Sequence, residues 1–161
     1  MRKVIVNSTP LIVLGNAGLL EILQKLYGRI LVPEAVYQEV TAKDDAAGMI
    51  LLNGADWIQV EQVQNQSDAR IFSSRLHAGE VEVMLLAREQ KADLLIIDDN
   101  AAKSTAKYLG MKVTGSLGVL LRAKQMGFLE DINDAMERII RNGFYVSEAL
   151  KKHIIELSEN T

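Results

Sequence analysis

The chain has no cysteine among its 161 residues. That excludes disulfides and thiolate metal centres, and it fits a reducing compartment. Histidine is scarce too: His77 and His153 are the only two, far apart in sequence. A zinc site ordinarily draws on more nitrogen or sulfur ligands than that. No apolar run approaches the ~20 residues of a membrane span. The opening "MRKVIVNSTP" holds too short an apolar run for a signal peptide. No G-x-G-x-x-G follows a strand pattern and no G-x-x-x-x-G-K-[ST] occurs, so a doubly wound nucleotide or small-molecule binder lacks its usual mark. Excess positive charge is also missing: a formal charge of -3 gives no global attraction to nucleic acid. Only a local basic patch or bound cations could supply that attraction. These absences lead us to expect a soluble cytoplasmic protein.

What is present is apolar and regularly punctuated. With 48% hydrophobic residues the chain can bury a sizeable core, and its length suits a single domain over residues 1–161. "KVIV" (3–6), "RILV" (29–32), "LLII" (94–97) and "MKVTG" (111–115) read as short strands, and "WIQVEQV" (57–63) as an edge strand. "STP" (8–10) turns the chain after the first strand, and "LLEILQKLYG" (19–28) is an amphipathic helix stopped by Gly28. Pro33 suits the first position of the helix "PEAVYQEVTA". A smaller helix is expected over 44–53, and "NQSD" (65–68) is a loop before two further helices. "AGEVEVMLLAREQ" (78–90) is apolar nearly all round and should be central. "NAAKSTAKYLG", "SLGVLLRAKQMG" and two C-terminal helices from about 130 complete the set. Apolar strands alternating with helices imply a three-layer α/β/α sandwich with a short parallel sheet.

One stretch needs a chemical reason. "LLIIDDNAAK" (94–103) runs a core strand straight into two adjacent aspartates, Asp98 and Asp99. Like charges so close repel, and both lose solvation where the surroundings are dry. Either they lie in a solvated turn, with Asp99 capping the next helix, or something positive sits beside them. Ligands of open parallel sheets bind at the carboxyl ends of the strands. Asn7 ends the first strand, so it and the aspartates fall at one sheet edge.

Glu80 shares a helix face with Met84 and Ala87, which shields it; Glu82, on the side of Leu86 and Glu89, looks toward solvent. Glu39 borders the apolar face of its helix. Taken singly, each is an ordinary first-turn or edge charge. Together, Glu39, Glu80, Asp98 and Asp99 are oxygen ligands of the kind hard cations such as Mg²⁺ or Mn²⁺ prefer.

The segments "VNSTPLIVL", "VPEAVYQEV", "AGEVEVMLLA", "LLIIDDNAAK", "NGFYVSEAL" and above all "VTGSLGVLLRAKQMG" resemble the PIN-domain superfamily, in particular its VapC-like branch of prokaryotic proteins. The resemblance covers nearly the whole chain. It implies a three-layer fold and an acidic cluster that binds Mg²⁺ or Mn²⁺. It also implies ribonuclease activity, with a cognate antitoxin protein as partner, and a homodimer. By position it carries metal ligation to Asn7, Glu39, Glu80 and Asp99, with Asp98 beside them, and catalysis to Glu39, Glu80 and Asp99. Thr9 matches a small hydroxyl residue supporting the first ligand. Phosphate contacts for the implied phosphodiester hydrolysis come either from Lys103 and Lys107, otherwise plain surface charge, or from the helix start at Ser116, otherwise an N-cap after a tight strand-to-helix turn. Asn7 stands where an aspartate is usual. Its amide brings no charge, which opens the alternative of a weak or inactive PIN-like module that binds RNA or protein.

Overall fold

The structure is a computed structural model and describes residues 2–159. Five parallel strands, β1 (Val4–Val6), β2 (Ile30–Pro33), β3 (Ile58–Glu61), β4 (Leu94–Ile96) and β5 (Val113–Thr114), form one sheet in the order β3-β2-β1-β4-β5. Side chains along a strand point alternately to the two faces. Every residue of β1, β2 and β4 is nonetheless buried, so helices must cover both faces. β3 and β5 are the edges, and Val60 of β3 is 42% exposed. The expected α/β class and the edge position of 57–63 both hold.

The helices are α1 (Ser8–Asn16), α2 (Glu21–Tyr27), α3 (Glu34–Thr41), α4 (Ala46–Asn53), α5 (Ala69–Ser73), α6 (Ala78–Gln90), α7 (Asn100–Tyr108), α8 (Ser116–Gln125), α9 (Ile132–Arg141) and α10 (Glu148–Glu159). The central helix is α6, where Val83, Met84, Leu85 and Leu86 are all buried. No helix among the described residues is long and apolar enough to cross a membrane.

Two local readings need correction. "STP" is not a turn: Ser8, Thr9 and Pro10 are the first turn of α1, where N–H groups lack intrahelical partners, so proline costs nothing. Pro33 is not the first helical residue either. It closes β2 in extended geometry (φ −60°, ψ 149°) and stands one position before α3.

The strand order fixes where a ligand can sit. From β1 the chain moves outward through β2 to β3, then returns to β4 and moves the other way to β5. The reversal falls between β1 and β4, and ligands of such sheets bind at that switch point. Val6 pairs with Ile96, and Ile96 with Thr114, so the residues just after β1, β4 and β5 lie level along one edge.

Candidate active site

Asn7 leaves β1 with its backbone N–H donated to the Ile96 carbonyl at 3.0 Å, which ties the ends of β1 and β4 together. Its backbone begins α1, but its side chain makes no cap bond. The residue is buried, and its Oδ1 has no hydrogen-bond partner among the described residues. An orphaned amide oxygen costs about 1–3 kcal/mol. Native folds seldom retain one without a use.

Glu39, near the end of α3, is exposed, and its Oε1 accepts from the Ser8 hydroxyl at 3.0 Å. The same oxygen lies 3.2 Å from where a Cβ on Gly79 would stand. Glycine at 79 therefore lets the Glu39 carboxylate approach the first turn of α6. Glu80, in that turn, is buried. Its carboxylate accepts from the His77 backbone N–H at 3.3 Å and lies 3.5 Å from His77 Nε2. His77 and Glu80 thereby form a capping box that closes the start of α6. Burial raises the Glu80 pKa; His77 opposes this, and the charges of Asp99 and Glu39 add to the rise.

The two aspartates divide the work. Asp99 is exposed and caps α7, accepting from the Ala102 N–H at 2.9 Å. Its charge is also felt at Glu80. Asp98 turns to α8 instead: its oxygens accept from Ser116 N–H at 2.7 Å and from Ser116 Oγ at 2.6 Å. Gly115 makes that grip possible, since a Cβ there would lie 2.7 Å from Asp98 Oδ1 and 2.9 Å from Lys103 Nζ. Asp99 thus has the capping role its sequence position allowed, whereas Asp98 is no solvated turn residue.

Several expected positions change meaning. Both donors of Ser116 are held by Asp98, so Ser116 is a buried anchor of α8 and offers no N–H to a phosphate. Thr9 is exposed, and the hydroxyl that supports an acid is that of its neighbour Ser8. Lys103 is half-buried with its ammonium over Gly115, whereas Lys107 is exposed. Glu82 does not look to solvent: its carboxylate accepts the Ala35 N–H at 2.9 Å, at the start of α3. Pro33 provides no cap side chain, so Glu82 takes that part from another helix. Ser8 and His77 escaped the sequence reading. The spacing His77-x-x-Glu80 ahead of an apolar run was the available signal for the second.

The donor set fits a hard cation. It is all oxygen, it includes a buried amide oxygen with no partner among the described residues, and its exposed carboxylates raise the proton affinity of the one that is buried. No three histidine, aspartate or glutamate side chains among the described residues stand close enough to hold an ion by themselves. An ion held here therefore relies on Asn7 and on water as well as on the acids.

The raised pKa of Glu80 makes folding stability depend on pH. Glutamate ordinarily titrates near ~4.3. Between that value and its raised folded value, the folded state binds more protons than the unfolded state. The metal-free protein should therefore lose stability as pH rises through this window. Urea denaturation in chelator at a series of pH values should show this fall, and Glu80→Gln should flatten it. A pH profile identical in the two proteins would contradict the burial of a titrating Glu80.

A comparison with curated proteins finds no match. A sequence profile described as PIN domain (DUF3368) matches residues 3–160. Nuclease-type function goes with that fold in general, as does dependence on a divalent metal. With the match spanning nearly the whole chain, the sheet order and the edge cluster belong to one assignment: this chain is a member of the PIN-domain family DUF3368.

Proposed function

We propose that the chain is a divalent-metal-dependent endoribonuclease of VapC-like type, the toxin half of a toxin–antitoxin pair acting in the cytoplasm. The observation that carries the metal-dependent reading is the orphaned Oδ1 of buried Asn7, at the same edge as Glu39, Glu80 and Asp99. The antitoxin partner rests on the resemblance of "VTGSLGVLLRAKQMG" and its companion segments to VapC-like proteins.

Asn7, Glu39, Glu80 and Asp99 would hold Mg²⁺ or Mn²⁺ directly or through water. The cation supplies an activated water and offsets the charge that builds on the phosphate during hydrolysis. The protein's own part is preorganisation. Ser8 fixes the Glu39 carboxylate and His77 fixes Glu80. Asp98 clamps α8 against the end of β4 and so works on the site through Ser116, rather than as a ligand. Lys103, beside that clamp, and the exposed Lys107 are left to meet a phosphate. RNA cleavage by purified protein in Mn²⁺, abolished by chelator, tests this reading. Binding of the ion without cleavage of a mixed RNA pool would favour a module that binds without cutting. The neutral Asn7 is the feature that supports that second reading.

The protein is also expected to be a homodimer. Along "LLRAKQMGFL" and "EALKKHIIEL", Leu120, Ala123 and Ile154 complete the core, but Met126, Phe128, Leu150 and Leu157 remain exposed. That leaves apolar area for a second copy. Sedimentation at micromolar concentration should give twice the 17.8 kDa chain mass; a monomer throughout would refute it.

A further inference from the structure

A groove of about 600 Å³ runs between α5 with the residues after it and α7, and neither the cation site nor the core accounts for it. Its walls include Ile71 and Arg75 on one side and Asn100, Ser104, Tyr108 and Leu109 on the other. Tyr108 is 91% exposed and Ile71 68%, so two large side chains stand in water across an open slot. Its volume is that of sites for small organic groups, which run from ~300 to ~1,000 Å³. Asn100 follows Asp99 directly, so one end of the groove adjoins a residue of the proposed cation site. Arg75 is the one charged residue lining it, and it is a cation.

We propose that this groove receives an unstacked nucleobase of single-stranded RNA, from the nucleotide next to the phosphate held at the cation site. This rests on the ribonuclease reading. Tyr108 and Ile71 offer a ring face and an aliphatic wall, which bases accept regardless of sequence. Asn100 can pair with a base edge, and Arg75 complements the flanking phosphate. The groove is mainly apolar, with Phe72 and Leu76 at its base, and Asn100, Ser104 and Thr105 of α7 add the polar groups that a base edge can meet.

The test measures binding, so that it stands apart from cleavage. Short single-stranded RNA carrying a fluorophore is titrated with the full chain in chelator, where no cation acts, and anisotropy is followed. Tyr108→Ala should weaken binding on the order of tenfold, as loss of one stacked base does. Tyr108→Phe should restore it. A ribose-phosphate oligomer of the same length, abasic throughout, should bind native protein no more tightly than intact RNA binds Tyr108→Ala. Because Tyr108 is almost wholly exposed, its replacement leaves the core intact. Native protein that fails to bind at high micromolar concentration overturns the proposal, and so does unchanged affinity in Tyr108→Ala and Ile71→Asp. If those variants instead abolish a dimer while RNA binding stays intact, the groove belongs to a second copy and the proposal is again wrong. Native protein that binds and cuts RNA without using Tyr108 refutes the base site alone. Base binding without any metal-dependent cleavage refutes the ribonuclease reading alone.

Discussion

Asn7→Asp should bind Mn²⁺ at least tenfold more tightly than the native protein and cut RNA faster. The asparagine stands at the switch point of the sheet, with its amide oxygen buried and unpartnered among the described residues. A carboxylate in its place adds one unit charge to the ligand set. At ~4 Å and an effective dielectric of ~20, attraction between unit charges is about 4 kcal/mol gross. Desolvation and repulsion from Glu80, Glu39 and Asp99 offset much of it. A remainder of about 1.4 kcal/mol already gives the tenfold change. Without the cation, the same substitution buries a second carboxylate near a glutamate that already resists ionisation. An uncompensated buried charge is strongly destabilising. The melting temperature of metal-free Asn7→Asp should therefore fall below that of the native protein, and saturating Mn²⁺ should reverse the order through linkage. Tighter binding with no cleavage would leave the non-cutting module as the surviving function. No change in either melting temperature or affinity would remove Asn7 from the site.

Glu80→Gln should abolish metal-dependent cleavage in a folded protein, while Glu82→Gln should stay close to native activity. Glu80 is the buried carboxylate of the set. The amide keeps an oxygen for the His77 N–H, so the capping box survives while the charge is lost. Removing one acid from a metal-assisted phosphoryl site should cost at least 10²-fold in rate, the scale of losing one group that stabilises transition-state charge. Glu82 is two residues away but serves the Ala35 N–H, at the start of a different helix. Its glutamine retains an acceptor there. Glu82→Ala leaves that N–H uncapped and should cost about 1 kcal/mol of stability, with the remaining folded protein fully active. Cleavage rates and urea midpoints of the three variants, measured together, check the assignment. Equal loss of activity in Glu80→Gln and Glu82→Gln would contradict it.

The architecture was legible in the sequence because the inner strands β1, β2 and β4 are wholly apolar and short, and helical periodicity separates them. "KVIV", "RILV" and "LLII" sit in buried strands, and Gly28, with φ +78°, ends α2 as its position suggested. The site was legible as a set of acids at one sheet edge. Less legible was what each acid holds, since that depends on contacts between segments distant in sequence. Periodicity placed Glu80 and Glu82 on different faces but took the second face for solvent, when the start of α3 lies over it. Asp98 and Asp99 look equivalent in "IIDDN". The close approach of α8, permitted by Gly115, draws one of them away. Ser8 rather than Thr9 supports Glu39, because "STP" is the first turn of α1 and that turn buries Ser8 toward the carboxylate and leaves Thr9 exposed. His77 looked unremarkable until its imidazole and N–H were found on Glu80.

The most direct measurement is calorimetric titration of Mn²⁺ into metal-free native protein, repeated in buffers of different ionisation enthalpy. If Asn7, Glu39, Glu80 and Asp99 hold the ion, binding is saturable at millimolar concentration or below. It should release protons near the raised Glu80 pKa, because the carboxyl must ionise to ligate, and it should vanish in Glu80→Gln and Asp99→Asn. The absence of saturable binding at millimolar Mn²⁺, or binding that survives both substitutions, would contradict a cation site at this edge of the sheet.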